Sequence, residues 1–343
     1  MKQINGTSLP CKECVLTIGK FEGIHLGHRA LIGATVSRAR ELGLPSVVLA
    51  FEPHPNIVLS KPETGYKPVF NVKERTYLLG QIPGIDFALT YPFTKELAKI
   101  APAEFCRIIF NDLGGKEIFI GENFGFGSER GGNAEFLKES AAAYNAKVHV
   151  AKLMYDSQNN LDNNLNNKTE QIQISTSGIR GLIERGNLAE AAMQLGHPFF
   201  IMSETVTGRR LGRTLGFPTL NIIPEGDKLT PPNGVYSTNF VYGGIRYPSV
   251  TNTGTNPTVN NTRLRTVETY VLEPPDVLLY DDFYGQEMML EFIDFIRPEL
   301  KFESKDALVQ QINIDIHKLG LQNLNGTVKI DKQEPEMFGT LLF

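Results

Sequence analysis

The chain has 343 residues, 41% of them hydrophobic and 21% charged, the composition of a globular protein long enough for two cores. A formal charge of −4 gives no basic footprint for nucleic acid or an anionic membrane, and no run reaches the roughly 18 apolar residues of a membrane span. Three cysteines are too few for a disulfide framework, and Met1 to Pro10 lacks the apolar core of a signal peptide, so a cytoplasmic location is expected.

Cys11-Lys-Glu-Cys14 has a redox or zinc spacing, but no second pair or histidine cluster completes it, and incidental thiols are expected. Val15, Leu16 and Ile18 form a short strand that runs into Thr17-Ile-Gly-Lys-Phe-Glu-Gly-Ile-His-Leu-Gly-His28. If a helix begins there, His25 and His28 share one face of it, at an end whose unpaired N–H groups suit a polyphosphate. Gly27 leaves no side chain between the imidazoles. A helix with two surface histidines is the plainer alternative; the strand-turn-helix context favours the phosphate site.

Leu31 to Leu42 continues as helix, and Ser46 to Phe51 is a continuous apolar run, the pattern of a strand covered on both faces. Asn71 with Glu74 reads as a capping box opening a helix over 72–82. Strands follow at 87–90, 118–120 and 148–153, with helices near 94–113 and 133–144. This alternation predicts a doubly wound parallel sheet, with ligands at the carboxyl ends of its strands. Residues 157–170 are asparagine-rich and predict a surface loop without chemistry. A helix over 178–195 stops at Gly196-His-Pro198. Short strands near 199–207, 235–242, 246–251, 265–272 and 287–295 predict an antiparallel β-barrel, closed by a helix from Ser304 to about Leu319. The domains are set at 1–186 and 187–325, with 326–343 unassigned.

Four elements in the first domain offer chemistry. Besides the histidine turn there is Phe51-Glu-Pro-His-Pro55, where two prolines fix the backbone around His54. Gly121-Glu-Asn-Phe-Gly-Phe-Gly127 combines glycine, the Asn123 amide for base or ribose recognition and aromatics such as Phe126 for a flat ring, Phe126 having core packing as its alternative. Ser175-Thr-Ser-Gly-Ile-Arg180 offers hydroxyls and a guanidinium for phosphate oxygens.

Together these four resemble the nucleotidylyltransferase superfamily with the His-x-Gly-His signature, and within it prokaryotic FAD synthetase. Glu22 stands where that family usually has Asp, and Ser-Thr-Ser at 175–177 where Ser-Ser-Thr is usual. In the second domain, Gly208-Arg-Arg-Leu-Gly-Arg-Thr-Leu-Gly-Phe-Pro-Thr-Leu-Asn221 is glycine-rich and basic and places Thr219 and Asn221 on one face of a strand, where both could meet Mg²⁺–ATP. With Gly234-Val-Tyr236, Asn252-Thr-Gly-Thr-Asn-Pro-Thr258, Val267-Glu-Thr-Tyr270 and Ile296-Arg-Pro298 it resembles the riboflavin kinase module. Leu220 replaces a usual Ala, Ser203 a usual Gly, and the 273–283 segment is expanded.

The resemblance implies a bifunctional enzyme that phosphorylates riboflavin with ATP to FMN, then adenylylates FMN with ATP to FAD and pyrophosphate. For the kinase it implies Thr219 and Asn221 at Mg²⁺, Glu268 as general base, Arg297 bordering the flavin unless it pairs with Glu299, and Gly208, Arg213 and Gly216 around ATP. For the adenylyltransferase it implies His25 and His28 stabilising developing charge, with Gly19, Phe21, Gly27, Asn123, Ser175, Thr176 and Arg180 on the phosphates and Phe126 on the ring system. Retention of one activity only, a flavin-binding regulator with inactive sites and a cytidylyltransferase stay open. The last leaves the whole second half unexplained. No oligomeric state follows from the sequence.

Overall fold

A computed structural model describes residues 1–60, 65–152, 154, 173–208, 211–225, 228–257, 263–272 and 285–322. The 157–170 segment, Arg209, Arg210, Thr258, the 273–283 expansion and the 326–343 tail lie outside the described residues. The chain divides into two compact units, which meet at Thr176 and Ser177.

The first unit begins with β1 (Lys2–Asn5), β2 (Cys14–Gly19), α1 (Leu26–Leu42) and β3 (Ser46–Glu52). Next come α2 (Pro55–Leu59), α3 (Val72–Gly80), β4 (Phe87–Pro92), α4 (Pro102–Arg107) and β5 (Gly115–Gly121). The two-residue strands β6 (Gly125–Phe126) and β7 (Gly132–Asn133), then α5 (Ala134–Ala141) and β8 (Lys147–Ala151), complete it. Six strands form one parallel sheet in the order β1-β4-β3-β2-β5-β8. The central strands β2 and β3 are buried along nearly their whole length, as their unbroken apolar runs require. Leu16, Ile18, Leu49 and Ile118 pack with Phe105 and Phe110 into the core of this unit.

The expected doubly wound sheet is present, and the Asn71–Glu74 capping box is formed in both directions. Three details differ. β1 is an edge strand of polar, largely exposed residues, so no apolar pattern announces it. The helix expected over 94–113 is a 3₁₀ turn at Leu97–Lys99, then α4, then a π turn at Ile108–Asp112. Pro102 explains the break: it holds Ala101 extended, at φ −62° and ψ 147°, and can only open a helix. The helix expected over 178–195 is two, α6 (Thr176–Glu184) and α7 (Leu188–Leu195). Gly186, at φ 80°, ends α6 in a Schellman motif, with N–H bonds from Gly186 to Ile183 O at 3.0 Å and from Asn187 to Leu182 O at 2.9 Å.

The second unit continues with β9 (Phe199–Val206), the four-residue α8 (Leu211–Thr214), β10 (Leu220–Ile222) and β11 (Gly234–Tyr242). β12 (Ile245–Pro257), β13 (Arg263–Val271), β14 (Glu287–Arg297) and α9 (Lys305–Gln322) follow. The strands close an antiparallel barrel in the order β10-β13-β12-β11-β14-β9. Its interior holds Tyr236, Phe240 and Phe292 together with a hydroxyl chain in which Thr238 meets Thr251 at 2.7 Å and Thr251 meets Thr269 at 2.9 Å. Ser304 Oγ caps α9 by accepting the Ala307 N–H at 3.1 Å.

Candidate active sites

β2 lies at the centre of the parallel sheet. The chain moves from it to β3 and β4 on one side, then crosses to β5 and β8 on the other. The carboxyl end of β2 is thus a topological switch point, where such sheets bind ligands. The turn that leaves it is strained: Phe21 and Ile24 have φ of 45° and 41°, and both side chains are fully buried.

His25 is the N-cap of α1, its Nδ1 accepting the His28 N–H at 3.3 Å. The neutral ring therefore carries its proton on Nε2. The His25 and His28 rings stack with centroids 3.7 Å apart and planes 17° from parallel. Phe21 meets His28 edge-on at 5.1 Å. Burial pushes His25 down to about 4, against an upward pull from Glu22, and holds His28 well below the ordinary imidazole value, with His25 adding in the same direction. Both rings are neutral at pH 7. Among the described residues His28 Nδ1 is buried without a hydrogen-bond partner, and the first turn of α1 carries no acid. A helix start, a stacked neutral pair and an unsatisfied ring nitrogen converge here, a combination suited to anionic oxygens.

A methyl built on Gly23 would lie 3.6 Å from His25 Cδ2 and 3.7 Å from Thr176 Oγ1, so the end of the Ser175–Thr176 segment reaches the same turn. Asn123 is exposed in the turn after β5, on the far side of the switch point. Arg180 lies on α6 in the second unit.

The geometry bears on three of the expected contacts. The Phe21 ring is fully buried, 3.0 Å from a methyl built on Gly19, so only backbone at these two positions can meet a phosphate. A methyl built on Gly27 would lie 3.3 Å from the His25 ring, so the glycine makes room for that ring while its N–H stays at the helix start. Phe126 is buried in the core, its ring 4.8 Å from Phe105, 5.5 Å from Phe124 and 6.1 Å from Phe136, which is the packing alternative expected for it. In the second unit a different kind of site appears. Antiparallel pairing sets Glu268 of β13 directly opposite Asn221 of β10 on one side and Asn252 of β12 on the other. Directly paired residues share a face, so the three form a row across three strands. Val267 and Thr269, which alternate with Glu268, point into the barrel and are fully buried, which puts the row on the outer face.

The glycine-rich segment folds over this row. A methyl on Gly208 would lie 2.5 Å from Asn221 Nδ2, so only glycine permits the approach. Asn221 Nδ2 donates to the Thr219 carbonyl at 3.4 Å, which leaves Oδ1 as the acceptor, and a methyl on Gly212 would lie 3.5 Å from Thr219 Cγ2. Arg213 is exposed on α8, and Gly216 follows at φ 86°. Asn252 was not singled out in the sequence as a site residue. Only strand register brings it beside Glu268.

Arg297 pairs with neither a ligand-facing group nor Glu299. Its Nε and Nη2 fork onto buried Asp315 of α9 at 2.8–3.0 Å, and Nη1 donates to the Pro298 carbonyl at 3.0 Å. Glu299 instead accepts Asn233 Nδ2 at 2.9 Å. Arg297 therefore fastens α9 to the end of β14.

Residues 9–164 match the FAD synthetase family and residues 195–320 the riboflavin kinase family. The bifunctional riboflavin kinase/FMN adenylyltransferase of Escherichia coli K12 is 32% identical over 92% of this chain and 96% of its own length. The protein of the same name from Listeria monocytogenes is 29% identical, over 88% of this chain and 90% of its own length. The chain belongs to the bifunctional riboflavin kinase/FMN adenylyltransferase family. Its FAD synthetase match encloses the histidine pair and Asn123, and its riboflavin kinase match encloses Thr219, Asn221, Asn252 and Glu268. Ser175, Thr176 and Arg180 fall in the interval between the two. The crystal structure of a macrolide-efflux protein from Streptococcus pneumoniae also superposes on this chain, with a TM-score of 0.79 at 26% identity over 94% of this chain and 99% of that one. Its name speaks of transport, whereas here no helix among the described residues is long and apolar enough to cross a membrane.

Proposed function

We propose that His25 and His28 with the start of α1 carry the adenylyl transfer, and Thr219, Asn221 and Glu268 the phosphoryl transfer, of this family member. As a member of its family the chain phosphorylates riboflavin with ATP to FMN, then adenylylates FMN with a second ATP to FAD and pyrophosphate. The observation that carries the assignment is the stacked, neutral histidine pair at the switch point, in a unit separate from the Asn221–Glu268–Asn252 row.

In adenylyl transfer an FMN phosphate oxygen forms a bond to the α-phosphorus of ATP while the bridging oxygen to the β-phosphorus leaves with pyrophosphate. The nucleophile is already an anion, so the chain need supply no base. What it supplies is donors: His25 Nε2–H, the His28 ring and the first-turn N–H groups of α1 stabilise charge on the phosphates in the transition state. Asn123, Ser175 and Thr176 orient the remaining phosphates.

In phosphoryl transfer the 5′-hydroxyl oxygen of riboflavin bonds to the γ-phosphorus and ADP departs. The hydroxyl proton must go somewhere, and Glu268 receives it. Among the described residues no cluster of His, Cys, Asp and Glu forms a metal cage, and the oxygens offered are the hard, neutral ones of Thr219 and Asn221. Such a set fits Mg²⁺ that arrives with ATP and keeps most of its water. Thr219 and Asn221 would hold it, and its charge would offset that of the phosphates. Arg213 and the backbone at Gly208 and Gly216 border the triphosphate. Asn252 orients Glu268 from the strand opposite Asn221. Arg297 acts from behind, by holding α9 to β14. The compartment proposed is the cytoplasm.

The test is one chromatographic trace of flavin products with ATP and Mg²⁺, starting once from riboflavin and once from FMN. FMN and FAD are expected from the first and FAD from the second. FMN accumulating without FAD would remove the adenylyl assignment.

A further inference from the structure

The unit that holds the histidine pair also buries a carboxylate that the proposed chemistry does not use. Glu22 lies in the strained turn between β2 and α1 and is 3% exposed. Its Oε1 accepts the Val69 N–H at 2.7 Å, and its Oε2 accepts the Tyr66 hydroxyl and lies 3.3 Å from His54 Nε2. His54 is itself fixed, because its Nδ1 accepts the Asn56 N–H at 3.1 Å and its ring stacks on Tyr66 with centroids 5.0 Å apart. With Nδ1 accepting, the proton of the neutral ring sits on Nε2, which lies close to Glu22 Oε2 without meeting it in hydrogen-bond geometry. Two more charged or titratable groups feel this carboxylate: buried Arg75, whose Nη2 bonds Glu52 at 3.1 Å, and His25.

Three segments far apart in sequence thus close on one side chain: the turn after β2, the start of α2 and residues 66–69. The turn needs such a closure. Phe21 and Ile24, which flank Glu22 and Gly23, hold left-handed backbone that persists only where the surroundings over-determine it. His25 follows at once, and its position sets that of the stacked His28.

We propose that Glu22 is a positioning residue for adenylyl transfer, clamping His54 and the Tyr66–Val69 segment to the strained turn and so fixing the histidine pair against the bound nucleotide. The inference rests on the assignment of adenylyl transfer to this pair. A carboxylate suits this place because the Val69 N–H and the Tyr66 hydroxyl both donate to it, one to each oxygen, whereas an amide of the same size would turn its own N–H toward one of them. A reacting group displaced by about 1 Å loses on the order of 100-fold in rate.

The experiment uses the full chain and measures FAD formation from FMN, with riboflavin phosphorylation on the same preparation as the internal control. Glu22→Gln is expected to lower the adenylylation kcat by about 30- to 100-fold, with KM for ATP changed by less than about threefold and phosphorylation intact. Tyr66→Phe, which deletes one oxygen, is expected to cost about three- to tenfold, and the double variant to be no worse than Glu22→Gln alone, because both changes act through one bond. A merely structural role would instead lower adenylylation in step with the folded fraction of the first unit and leave kcat per folded molecule unchanged, which overturns the proposal. So would independent, multiplicative losses in the double variant. If Glu22→Gln does not fold, Tyr66→Phe decides alone, and an unchanged kcat overturns the idea. A His28→Ala variant that keeps full adenylylation would instead overturn the site assignment beneath it.

Discussion

The two sites are built from different parts of the backbone, and the difference follows from what each must attack with. At the switch point of the parallel sheet, the groups we propose to face the ligand are a helix start and two neutral imidazoles, while the nearby carboxylate, Glu22, is buried and accepts from donors of its own. On the barrel, the central group of the row is itself a carboxylate, Glu268, with an amide on either side. FMN brings a phosphate that is nucleophilic as it arrives, so its site needs donors for the charge that develops. Riboflavin brings a hydroxyl, which must lose a proton, so its site needs a base. One site should therefore fail when a donor is removed and the other when a proton acceptor is removed.

The largest effect expected is that of Glu268→Gln, which keeps shape and removes basicity. Formation of FMN from riboflavin should fall by about 10³-fold, within the range found for general bases, while FAD formation from added FMN stays at the wild-type rate. A folded variant that loses both activities would break the comparison, since the units would then not act independently. Next comes His28→Asn, expected to slow adenylyl transfer by roughly 10²- to 10³-fold, the usual cost of one well-placed donor, with phosphorylation unchanged. His25→Asn sharpens this result. Asparagine is among the best N-cap residues, so the cap on α1 survives and any loss belongs to the ring. Thr219→Val comes third. It keeps the branched shape and deletes the oxygen, and KM for ATP in riboflavin phosphorylation should rise about tenfold, as for loss of a charged-partner contact.

Much of this was legible in the sequence because the relevant signals are local. The His25–His28 spacing, the strand before it and the 71–74 capping box each lie within one element, where a period of 3.6 or 2 translates directly into a face. The barrel was legible as a pattern of short strands, and β10, three residues long, showed itself only in the alternation of Thr219 and Asn221. What could not be read is what register and long-range contact create. Asn252 and Glu268 are separated by a segment of unremarkable length, and only antiparallel pairing makes them neighbours. Tyr66 and Val69 reach Glu22 across more than 40 residues, with no motif to announce them. Phe126 misled for a related reason. An aromatic in a glycine-rich turn serves equally to stack on a ligand or to fill a core, and its neighbour Phe105 on α4 settles the matter. Arg297 likewise pairs with Asp315 on α9, and not with Glu299, its near neighbour in sequence.

The smallest effect is one on protonation, and it bears on why the first site is a set of donors. Burial holds His25 at about 4 against an ordinary 6.5, so between those values the unfolded chain binds more protons than the folded one. The stability linked to His25 is therefore complete above about 6.5 and is lost as pH falls toward about 4. In NMR titrations of the imidazole C–H signals, assigned by their disappearance in His25→Asn, the His25 resonance should stay still on going from neutral pH through 6.5 and move only near 4. Addition of ATP should shift that midpoint upward, because nearby phosphate charge favours the imidazolium. A midpoint near 6.5 in the free protein would mean a solvated ring. The stacked, desolvated pair would then not be what meets the nucleotide, and the contrast between a donor-lined site and a base-bearing one would lose its first half.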